Sequence, residues 1–164
     1  MRHRTPSSTT SNASNPAPKR MLTSSDCLKK FGLPRPENEP NYMVLWDVPQ
    51  SINDAIPTLP NRIYCNRLMA EPLERAFRAV IAAGCQDEIK TWDGCFNVRQ
   101  KRGLSGLSLH SWGLAIDINA AWNQLGKIPT LSPKLVQCFT SNGFFWGGTW
   151  KTRLDGMHFE LKSI

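Results

Sequence analysis

His110 and Asp117 stand seven residues apart in the run SLHSWGLAIDINA, Ser108 to Ala120, whose other members are mostly apolar. His158 follows later, in DGMHFEL. A carboxylate in an apolar run implies a pairing partner or a bound ligand, because desolvating an unpaired charge is costly. The chain has only three histidines, and the third, His3, is near the N-terminus. Two imidazoles and a carboxylate make three zinc-type ligands with a fourth position left for water, the arrangement of a catalytic rather than a structural metal. Spacing alone leaves a plainer alternative open: His110 a hydrogen-bonded loop residue, Asp117 a turn acid, His158 an edge-strand residue.

The trio can act together only if the intervening elements bring it together. GLAIDINA alternates, with Leu114, Ile116 and Ile118 on one side and Ala115, Asp117 and Asn119 on the other, as in a strand. DGMHFEL reads as a second strand, with His158 and Glu160 on one face and Met157, Phe159 and Leu161 on the other. If the two strands pair, all three candidate ligands converge on one sheet face. EPLERAFRAVIAAG places Leu73, Phe77, Val80 and Ile81 on one helical face, with Pro72 near its start and Gly84 past its end. LSPKLVQCFTSNG is a second helix, with Ser132 as N-cap, Pro133 in its first position and Gly143 as its stop. YMVLWDVP reads as a short strand and EIKTWDG as a strand and turn. SINDAIPTLPNR and the basic NVRQKRGLSGLS read as loops, and GFFWGGTW as a glycine–aromatic turn. The expected fold class is α+β: two or three helices against a small antiparallel sheet.

Composition sets the frame. The 164 residues suit one domain, and 40% hydrophobic content suffices for a core. The start, MRHRTPSSTTSNASNPAPKR, has basic residues but no apolar core segment, so neither a secretory signal nor a membrane span is expected. Its composition predicts disorder. A basic tail over residues 1–26 is expected, followed by one catalytic domain over 27–164. Arg2, Arg4, Lys19 and Arg20 supply +4 of the formal +7, leaving 16 basic against 13 acidic residues in the remainder. Such a tail suits any polyanion, including a bacterial envelope. The five cysteines form no C-x-x-C pair, and their odd number favours reduced thiols acting as small buried hydrophobes.

SLHSWGLAID resembles the S-x-H-x-x-G-x-A-x-D signature of zinc peptidases that cut bacterial cell-wall peptides: VanY-type D-alanyl-D-alanine carboxypeptidases and phage L-alanyl-D-glutamate endopeptidases. DGMHFEL is similar to their second signature, an acid three residues before a histidine. MVLWDVP, RIYCN, KTWDGCFNVRQKRG and GFFWGGTW look like the endopeptidase branch in particular. The resemblance runs from about Met43 to Leu161 and implies the Hedgehog/D,D-peptidase fold. It implies zinc held by His110, Asp117 and His158, with Asp155 as the catalytic acid. It implies Arg99 at the substrate carbonyl or carboxylate, with Arg102 as its competitor, and Ser108 as a substrate-contacting hydroxyl. Glu160 is the rival to Asp155 and is otherwise a supporting or surface acid. Trp112, Trp146 and Trp150 are candidates for cleft walls or for packing.

Zinc makes a water acidic at neutral pH, and a nearby carboxylate can take its proton and return it to the leaving amine. The resemblance implies a stem peptide of bacterial peptidoglycan as the substrate, and the expected protein is a monomer made in the cytoplasm that reaches the wall after release or export. No nucleic-acid partner is expected. The scissile bond stays open between L-alanyl-D-glutamate and terminal D-alanine. Two other classes also stay open: a metal-dependent nuclease, which the basic charge suggests, and a non-catalytic wall-binding module.

Overall fold

The computed structural model describes residues 20–164, and the expected tail over 1–19 lies outside the described residues. The folded chain begins earlier than the expected boundary at 27. Leu22 is buried in the core. Thr23 caps α1 (Ser24–Phe31) in a reciprocal capping box with Asp26. Arg20 holds the same Asp26 carboxylate at 2.7 Å.

Two antiparallel sheets follow. The smaller pairs β1 (Met43–Asp47) with β2 (Arg62–Asn66), Met43 lying opposite Asn66. The larger comprises β3 (Trp92–Gly94), β4 (Ala115–Ile118), β5 (Phe144–Trp146) and β6 (His158–Leu161), in the spatial order β3-β4-β6-β5. Two main helices, α3 (Arg67–Ala82) and α4 (Pro133–Thr140), pack on each other and close the core. The α+β expectation is borne out. Among the described residues no helix is long and apolar enough to cross a membrane.

The back of the larger sheet is aromatic. Phe139 of α4 meets Phe159 of β6 at 4.6 Å between ring centroids, Phe144 of β5 at 5.8 Å and Phe77 of α3 at 6.0 Å. All four rings are fully buried, so their burial anchors β6 by its apolar face. Alternation then sends His158 and Glu160 to the opposite face. The five cysteines are free and buried. Burial pushes the Cys27 and Cys65 thiols up to about 12, which suits small packing groups rather than nucleophiles.

Several elements differ from the sequence expectation. α2 (Gln50–Ala55) stands where a loop was expected, with Ile52 buried and the Asn53 amide donating to the carbonyls of Leu59 and Pro60. Six residues are too few for helical periodicity to show. GFFWGGTW is an edge strand plus a 3-10 turn: Phe144 pairs with Leu161 and Trp146 with Phe159. α3 starts at Arg67, capped by the Asn66 side chain, so Pro72 lies inside the helix rather than near its start. The backbone bond that proline removes would have gone to Leu68, on the exposed side, which limits the damage.

One glycine holds the two sheets together. Gly113 has φ +63°, and a Cβ there would lie 2.6 Å from the Asn66 nitrogen and 2.8 Å from Met43 Cε. Its carbonyl accepts from Asn66 N–H at 3.0 Å. Gly113→Ala combines left-handed strain with a backbone clash, and it should cost at least about 2 kcal/mol. Thermal denaturation should show Tm falling by roughly 5 °C or more. An unchanged Tm would mean that the two sheets do not close on this residue.

Candidate metal and catalytic site

β4 and β6 pair in the register that sets Asp117 directly opposite His158, and Ala115 opposite Glu160. Cross-strand partners project from the same face. The small Ala115 leaves room there for the Glu160 carboxylate. His110 arrives from a 3-10 turn, Leu109–Trp112, that immediately precedes β4. The turn is pinned by Trp112, which is fully buried and whose Nε1–H donates to the Gly32 carbonyl at 2.9 Å. The expected convergence is therefore present.

Three atoms face one another. His110 Nε2 lies 3.1 Å from His158 Nδ1 and 3.2 Å from Asp117 Oδ1, and His158 Nδ1 lies 3.1 Å from that same oxygen. The tautomers follow from what the other ring nitrogens meet. His110 Nδ1 is 2.7 Å from the Cys95 carbonyl, which can only accept, so Nδ1 carries the hydrogen and Nε2 a lone pair. His158 Nε2 donates to Glu160 Oε2 at 3.1 Å, leaving the lone pair on Nδ1. Three electron pairs aimed at one point repel unless a cation lies among them. The donor set thus fits a divalent metal, with the outer hydrogen bonds that usually orient such ligands.

The flanking carboxylates also favour positive charge here, and a bound metal would take the place of a proton on His158 Nδ1. Burial works against a charged His158, but its bonds to Asp117 and Glu160 outweigh burial and raise its pKa to about 10. Burial likewise works against an ionised Asp117. The bonds from His110 and His158 outweigh it and hold that carboxyl well below the usual range.

A cleft of about 600 Å³ lies beside the trio, with His158 in its lining. Ser108, Arg99, Arg102, Asp155 and Glu160 line it with His158, and His110 and Asp117 lie next to His158. Arg99 Nη2 is 4.0 Å from Asp117 Oδ2. Asp155 Oδ1 is buried without a hydrogen-bond partner. Burial raises the Asp155 pKa, with help from the nearby Asp117 charge. Gly147 holds it close: a Cβ on Gly147 would lie 2.6 Å from the Asp155 carbonyl oxygen, and Gly147 O accepts the Asp155 N–H at 3.0 Å. Gly156 lies in the turn between Asp155 and β6, where a Cβ would lie 2.8 Å from Pro129.

The tryptophans divide. Trp112 is core, and Trp146 donates to the Gly156 carbonyl and stacks on Phe159. Trp150 lines the cleft 5.2 Å from the His158 ring, with a buried Nε1–H that has no partner. Two positioning groups escaped the sequence reading. One is the Cys95 carbonyl, a backbone atom that no side-chain pattern reports. The other is Ser111, whose hydroxyl accepts from Arg99 N–H and donates to Arg99 O, both at 3.1 Å, fixing the arginine's backbone. Its place in the first signature, next to His110, was the available signal.

Residues 102–161 match a family model described as D-alanyl-D-alanine carboxypeptidase. No curated protein and no solved structure matches the chain. The matched span contains all three facing side chains and Asp155, while Arg99 and Cys95 lie just before it. The segment that builds the site is similar to the D-alanyl-D-alanine carboxypeptidase family, and the facing side chains of His110, Asp117 and His158 support a metallopeptidase.

Proposed function

We propose that this chain is a zinc-dependent endopeptidase that cuts the L-alanyl-D-glutamate bond of peptidoglycan stem peptides, working as a monomer after release or export. The observation that carries the reading is the set of three facing lone pairs beside an unpartnered, buried carboxylate in one cleft. The endopeptidase-like segments favour an internal bond, and a cleft of about 600 Å³ has room for peptide on both sides of it. In this reading the basic N-terminal tail adds affinity for the anionic wall.

His110, Asp117 and His158 would hold the ion, which supplies Lewis acidity and a water activated at neutral pH. Asp155 takes the proton from the attacking water and passes it to the leaving amine. A carboxyl with a raised pKa suits both halves of that task. Arg99 faces the developing negative charge on the substrate oxygen, where a fixed cation is most effective. Arg102 and Ser108 contact the peptide further along the cleft. Glu160 is committed to His158 Nε2 and serves as its orienting partner.

Elemental analysis of the purified protein should find one zinc per chain, and His110→Ala should lose metal and activity together. Full activity without metal would overturn the reading.

Asp155→Asn keeps size but removes the proton acceptor. Turnover should fall about 10²–10⁴-fold with zinc retained. Glu160→Gln should cost far less turnover and act mainly on metal affinity, by about 10–100-fold. Zinc content and peptide turnover measured on both variants decide the assignment. An active Asp155→Asn beside a dead, zinc-loaded Glu160→Gln would make Glu160 the base.

The family description favours a second reading, removal of a terminal D-alanine. Mass spectrometry of digested muropeptides separates the two. The endopeptidase yields glycan ending in L-alanine and peptides starting with D-glutamate, whereas release of free D-alanine alone assigns the carboxypeptidase.

A further inference from the structure

The cleft beside the trio is ringed by positive charge. Arg99, Lys101 and Arg102 line it from the loop before β4, and Lys151 and Arg153 line it from the segment between β5 and β6. The acids that line it are Asp155 and Glu160, and Glu160 is engaged by His158. The two cationic segments meet. Arg153 Nη1 donates to the Arg102 carbonyl at 3.3 Å. Gly103 lies so close that a Cβ there would be 2.9 Å from Arg153 Nη1.

On α3, Arg75 pairs with Glu71 and Arg78 with Glu74, while Arg67 has no acid within 4.0 Å among the described residues. Of the five cleft cations, Arg99 alone has an acid within 4.0 Å among the described residues. Like charges gathered on two touching segments repel, and that cost falls when an anion lies between them.

We infer that the cleft selects an acidic peptide, with Lys101, Arg102, Lys151 and Arg153 holding free carboxylates away from the scissile bond. The inference rests on the peptidase reading and deepens it. A single terminal carboxylate next to the cut would need only Arg99, which stands beside Asp117. Four more cations on two chain segments suit a substrate with carboxylates several bonds away, as in stem peptides whose D-glutamate and diaminopimelate carboxyls are free. Because the cations share the cleft with His158 and Asp155, the anion they hold belongs to the molecule being cut rather than to a separate wall polymer. Stem peptides with amidated carboxyls are then poor substrates.

The test uses the zinc-loaded full chain and two matched stem peptides, one with free carboxyls and one with the same carboxyls amidated. Binding is measured by calorimetry and turnover by mass spectrometry. The acidic peptide should bind and react about tenfold better, as expected for a few part-exposed ion pairs. That preference should shrink at 1 M salt, where the Debye length is about 3 Å. In the Lys101→Met/Lys151→Met double variant, with zinc content and Tm checked, kcat/KM for the acidic peptide should fall toward that for the amide. Equal binding and equal turnover of the two peptides overturn the inference and leave the peptidase reading standing. A binding preference without cleavage of either peptide supports the cationic clamp and overturns the peptidase reading. If neither peptide binds, or if a glycerol-phosphate polymer binds as tightly as the acidic peptide, the clamp does not select peptide carboxylates and the inference falls.

Discussion

Asp117 lies directly across from His158 because β4 and β6 pair in one register, and the site depends on that pairing. A slip of one residue would turn the ligand-bearing face of one strand toward the core. The register is held from behind, where Phe159 packs against Phe139 and Ile116 and Ile118 are fully buried. Apolar burial on one face thus fixes polar geometry on the other. Removing those side chains from water, at about 25 cal/mol per Å², supports the crowding of two imidazoles and a carboxylate on the front.

Convergence alone does not make a metal site, because each imidazole must also present the correct nitrogen. The segment from Cys95 to Arg99 does this for His110. It is laced onto the 3-10 turn by the Cys95 carbonyl on His110 Nδ1, by Asn97 N–H on the His110 carbonyl, and by Ser108 and Ser111 on Arg99. The same lacing sets the loop that carries Arg99 toward the cleft. On the other side, Glu160 orients His158 from two residues away on the same strand face. Asp155 has no such engagement, and its unpartnered oxygen beside the cleft divides the two acids: Glu160 is bonded to a histidine ring and Asp155 Oδ1 is not bonded at all.

Much of this was legible in the sequence. Alternation in GLAIDINA and DGMHFEL assigned the faces of β4 and β6, including Phe159 behind and His158 with Glu160 in front. Ser132, Pro133 and Gly143 marked α4, and the apolar stripe of Leu73, Phe77 and Val80 marked α3. The two histidines and one aspartate carried their chemistry in their types. These signals are local: a strand repeats every two residues and a helix every 3.6, so a few adjacent positions suffice to read them. β5 has three residues and α2 has six, less than two helical turns, so neither repeats its pattern, and they were read as turn and loop.

Tertiary structure decided what depends on residues distant in sequence. It placed the Cys95 carbonyl on His110 Nδ1 and so set Nε2 as the nitrogen that faces Asp117 and His158. It sorted Trp112 and Trp146 into packing and left Trp150 beside His158. It brought Lys101 and Arg102 to Lys151 and Arg153 across one cleft. Residue types and local spacing determine which side chains are able to bind a metal or an anion and which face of an element they take. Which of them meet, at what distance and with which proton, is set by how apolar faces pack and how backbone groups far apart in the chain satisfy one another, and no local pattern encodes that.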